Sequence, residues 1–132
     1  MRIKILGAES LGVRGLSCVV TLAHRQIVID PGIALGYRRH GLLPHPAQVA
    51  VGEAIRRQIR AVLCEATDVV FSHYHGDHIP LPEANPYQLN AADVAETLQT
   101  SHLWGKGPKG LSENMNRRRA APRWSRYWGR PC

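Results

Sequence analysis

Three histidines and one aspartate fall within six consecutive positions, His73-Tyr74-His75-Gly76-Asp77-His78. Neutral imidazole is the commonest side-chain metal ligand. Imidazole combined with carboxylate suits zinc, and also iron or manganese. Residues 67–71, just before the cluster, are short, apolar and partly β-branched, the pattern of a buried strand. The cluster is therefore predicted at the end of a strand, where α/β proteins place ligand sites. On an extended chain His73, His75 and Asp77 share one face, so two imidazoles can grip one cation. A turn after Gly76 would swing Asp77 and His78 toward a second cation. Two ions roughly 3.5–4 Å apart form the arrangement that activates water for hydrolysis. A solvated His-rich loop is the competing reading, and four potential ligands in so short a run weigh against it.

Upstream, Asp30-Pro31-Gly32 follows the apolar run Gln26-Ile27-Val28-Ile29. By composition alone this is a turn. The pattern His73-x-His75-x-Asp77-His78 after a hydrophobic strand, with Asp30-Pro31-Gly32 before it, resembles the metal-binding signature of the metallo-β-lactamase fold superfamily. Residues 3–14 and 30–46 also resemble a prokaryotic group within it, one of predicted metal-dependent hydrolases. The resemblance covers most of residues 1–120. It implies an α/β fold, a four-layer αββα sandwich in which helices cover two packed mixed sheets. It implies that His73 and His75 ligate a first metal, and Asp77 and His78 a second. Asp77 would also orient the attacking water as the catalytic residue. Asp30 would fix the ligand histidines through hydrogen bonds. One or two zinc ions, or iron or manganese in their place, would supply hydroxide for attack on an ester, thioester, amide or phosphodiester.

The superfamily draws further ligands from downstream, namely a histidine, a bridging aspartate and a final histidine. Here only His102 follows the cluster, and no aspartate follows Glu96. At 132 residues the chain looks like the N-terminal half of such a sandwich, truncated or degenerate. A symmetric homo-oligomer could supply the vacant positions.

The elements that must position the cluster are legible in outline. Residues 2–8 read as a strand with Ile3 and Ile5 on one face, and residues 9–15 as a glycine-bearing loop. That loop lacks the Gly-Lys-Ser/Thr ending of a phosphate-binding loop. Residues 17–22 and 26–29 read as a hairpin turning at His24-Arg25. Residues 32–46 are irregular and basic; Arg38, Arg39 and His40 could meet an anionic substrate, although a solvated loop is the more ordinary role. Residues 47–66 read as a helix with Pro46 in its first turn and an apolar stripe of Val51, Ile55, Ile59, Val62 and Leu63. Arg56, Arg57 and Arg60 fall on its polar face. The proline-rich residues 79–86 read as a rigid loop beside the site. Residues 91–98 read as a short helix with Asn90 as its N-cap.

The charge is uneven. Residues 1–103 hold nine basic and nine acidic residues, whereas residues 104–132 hold eight basic residues against Glu113. The reading is therefore one incomplete domain over 1–103 and a basic segment over 104–132. Trp104, Trp124, Tyr127 and Trp128 are interspersed in that segment. Basic residues among aromatics can bind nucleic acid, which makes nucleic-acid binding or processing the alternative function. A surface tail, or a segment docking onto a missing half, is the plainer reading. A non-catalytic remnant is the third. No apolar run approaches the roughly 18 residues of a membrane span, and residues 1–7 enter a strand at once, so no signal peptide is expected. Cys18, Cys64 and Cys132 have no paired spacing, which reads as reduced, cytoplasmic thiols. Cys18 and Cys64 are expected in the core.

Overall fold

The computed structural model describes residues 1–107, 109, 110, 112 and 113. Five strands form one sheet in chain order: β1 (Arg2–Gly7), β2 (Ser17–Thr21), β3 (Gln26–Ile29), β4 (Asp68–Phe71) and β5 (His102–Gly105). The first three pair antiparallel as a meander. The β3–β4 and β4–β5 pairs are parallel, and a parallel pair needs a crossover connection. The first crossover carries α1 (Pro46–Cys64); the second carries a 3-10 turn (Ala91–Val94) running into α2 (Ala95–Thr100). The chain is thus mixed α and β. Among the described residues there is one sheet, not the two of a four-layer sandwich.

Register explains the core. Val19 lies opposite Val28, Val28 opposite Val69, and Val69 opposite Leu103. Alternation sends this row to one face, where the three valines are buried against Ile55, Ile59, Leu63 and Leu98 of the helices. Burying each such side chain contributes roughly 1.5–3 kcal/mol. The buried positions of α1 are Gly52, Ile55, Ile59 and Leu63. Val51, expected in that stripe, is exposed. Gly52 takes the inward position instead, and a Cβ there would stand 3.4 Å from Leu35 Cδ1. The helix can therefore lie close over the loop after β3. Its start is capped by His45, whose Nδ1 accepts from Ala47 N at 3.2 Å, with Pro46 next in sequence. Asn90 caps the second helical segment, its Oδ1 accepting from Ala92 N at 2.8 Å.

The opposite face of the sheet is largely apolar and more open. Its rows run Ile5–Cys18–Ile29–Val70–Trp104 and Ile3–Val20–Ile27–Asp68–His102. Ile3 and Ile5 are 57% and 47% exposed. Cys18 is half-buried on this face, and burial, with the Asp30 charge, pushes its thiol up. Cys64, expected in the core, is exposed because it lies one residue past the inward-facing Leu63 and so falls on another face of α1.

His102 begins β5 opposite Asp68, at the far end of β4 from His73. Asp68 is buried, accepting from Thr67 Oγ1 at 2.7 Å and Trp104 Nε1 at 3.0 Å, with Arg25 Nη1 at 3.5 Å. Burial pushes its carboxyl up, but the bonds from Thr67 and Trp104 and the charges of Arg25 and His102 hold it below the usual range. A carboxyl held low in the folded state stabilises that state above the unfolded value of about 3.9 and loses the contribution as pH falls through the folded value. Urea midpoints of the wild type and Asp68→Asn should therefore differ most near neutral pH and converge in acid. Equal midpoints at neutral pH would contradict this role.

Trp104 lies in β5. The greater part of the basic segment, including Trp124, Tyr127, Trp128 and the arginines from Arg117 onward, falls outside the described residues. No helix among the described residues is long and apolar enough to cross a membrane.

Candidate metal centre

Two adjacent parallel strands deliver the site. Pairing of β3 with β4 continues one residue past β3, through Asp30 N donating to Val70 O at 2.9 Å. Asp30 then adopts a φ of 48°, a left-handed conformation that aspartate tolerates better than most residues. The turn aims its carboxylate at the end of β4. There Oδ1 accepts from Ser72 N at 2.7 Å, and Oδ2 accepts from Ser72 Oγ at 2.5 Å and from His78 Nδ1 at 3.0 Å. Asp30 is only 5% exposed, and a buried carboxylate needs such donors.

These bonds fix both imidazole tautomers. An ionised carboxylate can only accept, so His78 Nδ1 carries the proton and its Nε2 keeps a lone pair. Ser72 Oγ has one hydrogen, which goes to Asp30. Its contact with His73 Nδ1 at 2.9 Å is then one in which Ser72 accepts. His73 Nδ1 is accordingly protonated too, and its Nε2 is free. A single carboxylate thus orients two rings, one directly and one through a hydroxyl. The ring centroids of His73 and His78 lie 4.0 Å apart. Burial, then the charges of His78 and His75, lower the His73 pKa against the opposing pull of Asp30 and Asp77. Neutral imidazole is the form that binds metal.

The four cluster residues lie in a loop, since β4 stops at Phe71. Tyr74 is buried, and its hydroxyl donates to Lys106 O at 2.5 Å. His73 is half-buried and His75 exposed, their rings edge-to-face at 4.7 Å. The chain then turns, with His78 N and Ile79 N both donating to His75 O at 3.0 and 3.1 Å. Gly76 sits in this turn without a positive φ. A Cβ there would stand 2.6 Å from Leu81 Cδ1 and 3.0 Å from Gln88 Nε2, so those side chains would have to shift. Asp77 Oδ2 comes within 3.8 Å of His78 Nε2. One ligand atom from each of Asp30, His73 and His78 can be chosen so that all lie within 4.8 Å of one another. These three could hold an ion. His75 is exposed at the mouth, and Asp77 flanks His78; neither belongs to the compact trio.

Two glycines press the turn into place. A Cβ on Gly32 would overlap the backbone of His78 and Ile79, and one on Gly15, where φ is 95°, would overlap the Asp77 carbonyl. Ser72 and Gly15 have no place in the site on the sequence alone, and Gly32 enters only as part of the Asp30-Pro31-Gly32 motif. The only signal for Ser72 is its place directly before His73. For Gly32 it is the turn after Asp30.

Two cavities touch the cluster, and a third lies beyond them. A cleft of about 230 Å³ is lined by Arg14, Tyr37, Asp77, Asn85 and Gln88 among others. A groove of about 410 Å³ holds Gly15, Asp77 and His78. An outer pocket of about 500 Å³ shares Arg14 with the cleft and adds Arg39, His40 and His45. Arg38 is exposed.

The chain is similar to proteins named UPF0282. It is 49% identical over 119 residues to one from Methanosarcina mazei, covering 90% of this chain and 39% of the relative. It is 33% identical over 119 residues to one from Pyrobaculum calidifontis (89% and 40%) and 38% identical over 117 residues to one from Thermococcus onnurineus (88% and 38%). The chain therefore spans about two fifths of the length of the curated relatives it matches. No family model and no solved structure matches it. The resemblance to the metallo-β-lactamase superfamily is corrected by these findings, since its relatives carry the UPF0282 name and nothing of that superfamily is found. The physical reason is that the likeness rested on short motifs. A strand end followed by closely spaced histidines is a local chelating pattern that does not specify a whole fold.

Proposed function

We propose that Asp30, Ser72, His73, His75, Asp77 and His78 build a zinc site serving a metal-dependent hydrolase, with iron or manganese as alternative ions. The observation that carries this reading is the shared carboxylate, whose bonds leave Nε2 of His73 and of His78 available together. The donor set fits the ion, since imidazole nitrogens and carboxylate oxygens are zinc's usual partners alongside thiolate. Bound zinc supplies Lewis acidity and brings the pKa of its water toward neutrality. Asp30 holds the tautomers and ring directions. Asp77, beside His78 and facing the cleft, orients water and accepts its proton. His75 adds a third imidazole at the mouth.

A melt of the purified chain with zinc and with chelator tests this. Zinc that binds only the folded chain stabilises it by about 2.7 kcal/mol at a hundred times its Kd, so the midpoint should rise. No shift, and no zinc retained after gel filtration, would overturn the reading. Ser72→Ala should weaken zinc about 10–100-fold, the usual cost of losing a partner that orients a ligand, and should also lower the melt of the metal-free chain, because the buried Asp30 carboxylate loses the Ser72 hydroxyl as a donor. Zinc-dependent turnover is to be sought with ester, thioester, amide and phosphodiester substrates.

The same proposal extends to the fold and its setting. The open, largely apolar face, with Ile3, Ile5 and Trp104 exposed upon it, suits the inner face of an αββα sandwich whose second sheet would correspond to the further length of the relatives. Thiols at Cys18 and Cys64, both unpaired, suit the cytoplasm.

A further inference from the structure

We infer that the cleft beside Asp77 is an oxyanion subsite, so that the substrate carries a phosphoryl or carboxylate group next to the bond attacked; this rests on the hydrolase reading. The cleft contains Asn85 and Gln88, whose amides could present either donors or acceptors. Their acceptor ends are already taken. Asn85 N donates to Gln88 Oε1 at 3.1 Å, and Tyr87 N donates to Asn85 Oδ1 at 2.9 Å. A backbone N–H can only donate, so the atoms facing these amides must be the side-chain oxygens. Each side chain is left with its NH2 group, and neither NH2 bonds another described residue. Gln88 Nε2 lies toward Gly76, 3.0 Å from where a Cβ of that glycine would stand.

Arg14 adds charge to the same wall. Its own N and O are both occupied by Ala34, at 2.9 and 3.4 Å, which leaves the guanidinium as its free group. That guanidinium makes no ion pair with a described residue. Arg39 crosses Gly36 at the cleft's edge, its Nε 3.2 Å from where a Cβ would be. The cleft therefore offers two amide NH2 groups with a guanidinium, and Asp77 alone brings negative charge. Donors of this kind favour an anionic acceptor. Because Asp77 lines both this cleft and the groove that holds His78, a bound oxyanion would lie beside the histidine cluster.

The test uses the whole chain stripped of zinc, titrated calorimetrically with inorganic phosphate and separately with acetate. Saturable binding of either is expected, and the tighter one names the source of the oxyanion. The double variant Asn85→Asp/Gln88→Glu keeps the oxygens that accept from Tyr87 N and Asn85 N and replaces each NH2 donor by an anionic oxygen that can only accept. It should melt as the wild type does and bind the anion about tenfold or more weakly, the loss of one or two charge-assisted bonds. Gln88→Glu alone is the second variant should the double one fail to fold, and Arg14→Gln should weaken binding similarly. Absence of binding of both anions to the wild type, or undiminished affinity in the carboxylate variants, would overturn the subsite. Zinc retention is measured on separate, unstripped samples, so failure of the metal reading would show there and not in the anion titration.

Discussion

His73→Ala/His78→Ala is expected to carry no zinc after gel filtration, where the wild type retains it. Both rings are pre-set by one carboxylate, with Nε2 the free nitrogen on each, and they stand 4.0 Å apart. Losing a residue that merely orients a ligand costs about 10–100-fold in affinity; losing two nitrogens bonded to the ion costs more. The far-ultraviolet circular dichroism should hold, because neither residue belongs to a strand or helix. His75→Ala should be milder, since His75 is exposed and outside the compact trio. Zinc content by elemental analysis, unchanged in the double variant, would remove the cluster from consideration as a metal site.

Gly32→Ala should be among the most destabilising single substitutions in the chain. Its added Cβ would overlap the backbone of His78 and Ile79, and backbone cannot rotate away as a side chain can. Overpacking of this kind costs typically 1–3 kcal/mol, occasionally more, a large share of the 5–15 kcal/mol that holds an ordinary domain folded. Gly15→Ala should combine the same overlap, there with the Asp77 carbonyl, with roughly 1–2 kcal/mol for its left-handed φ of 95°. Gly41→Ala is the control, because its φ is 78° but nothing lies within 4 Å of the new Cβ. Urea midpoints should fall in Gly15→Ala well below Gly41→Ala. Equal falls would mean that the loop bearing Asp77 and His78 yields freely.

Local chemistry was legible wherever a residue's own type dictates its role. Residues 26–29 were read as a strand with its observed bounds because their apolar run is bracketed by turn-forming neighbours. Pro46 and Asn90 marked helix starts through backbone rules that need no tertiary context. What escaped depends on partners distant in sequence. Residues 102–105 carry no strand signature of their own, and β5 exists because β4 offers it a parallel edge. Ser72 looks like any serine until Asp30, 42 positions away, meets its hydroxyl. Gly15 and Gly32 read as turn glycines, whereas the turn at 76–78 leaning on them makes a side chain impossible. The spacing of the histidines points to a chelating cluster, and the compact grouping draws in Asp30 with His73 and His78, a set no spacing rule would select.

Arg56 shows how far that dependence reaches. Placed by its spacing on the polar face of α1, it lies half-buried, held by Glu53, with Nη1 donating to Pro86 O at 2.7 Å and to Gln88 O at 3.1 Å. The helix thereby moors the very hairpin of chain from which Asn85 and Gln88 project. Loosening that mooring would let the cleft's wall drift while the imidazoles stayed aligned. Selectivity among ligands and grip on an ion would then be tuned by separate levers, the former operated from α1.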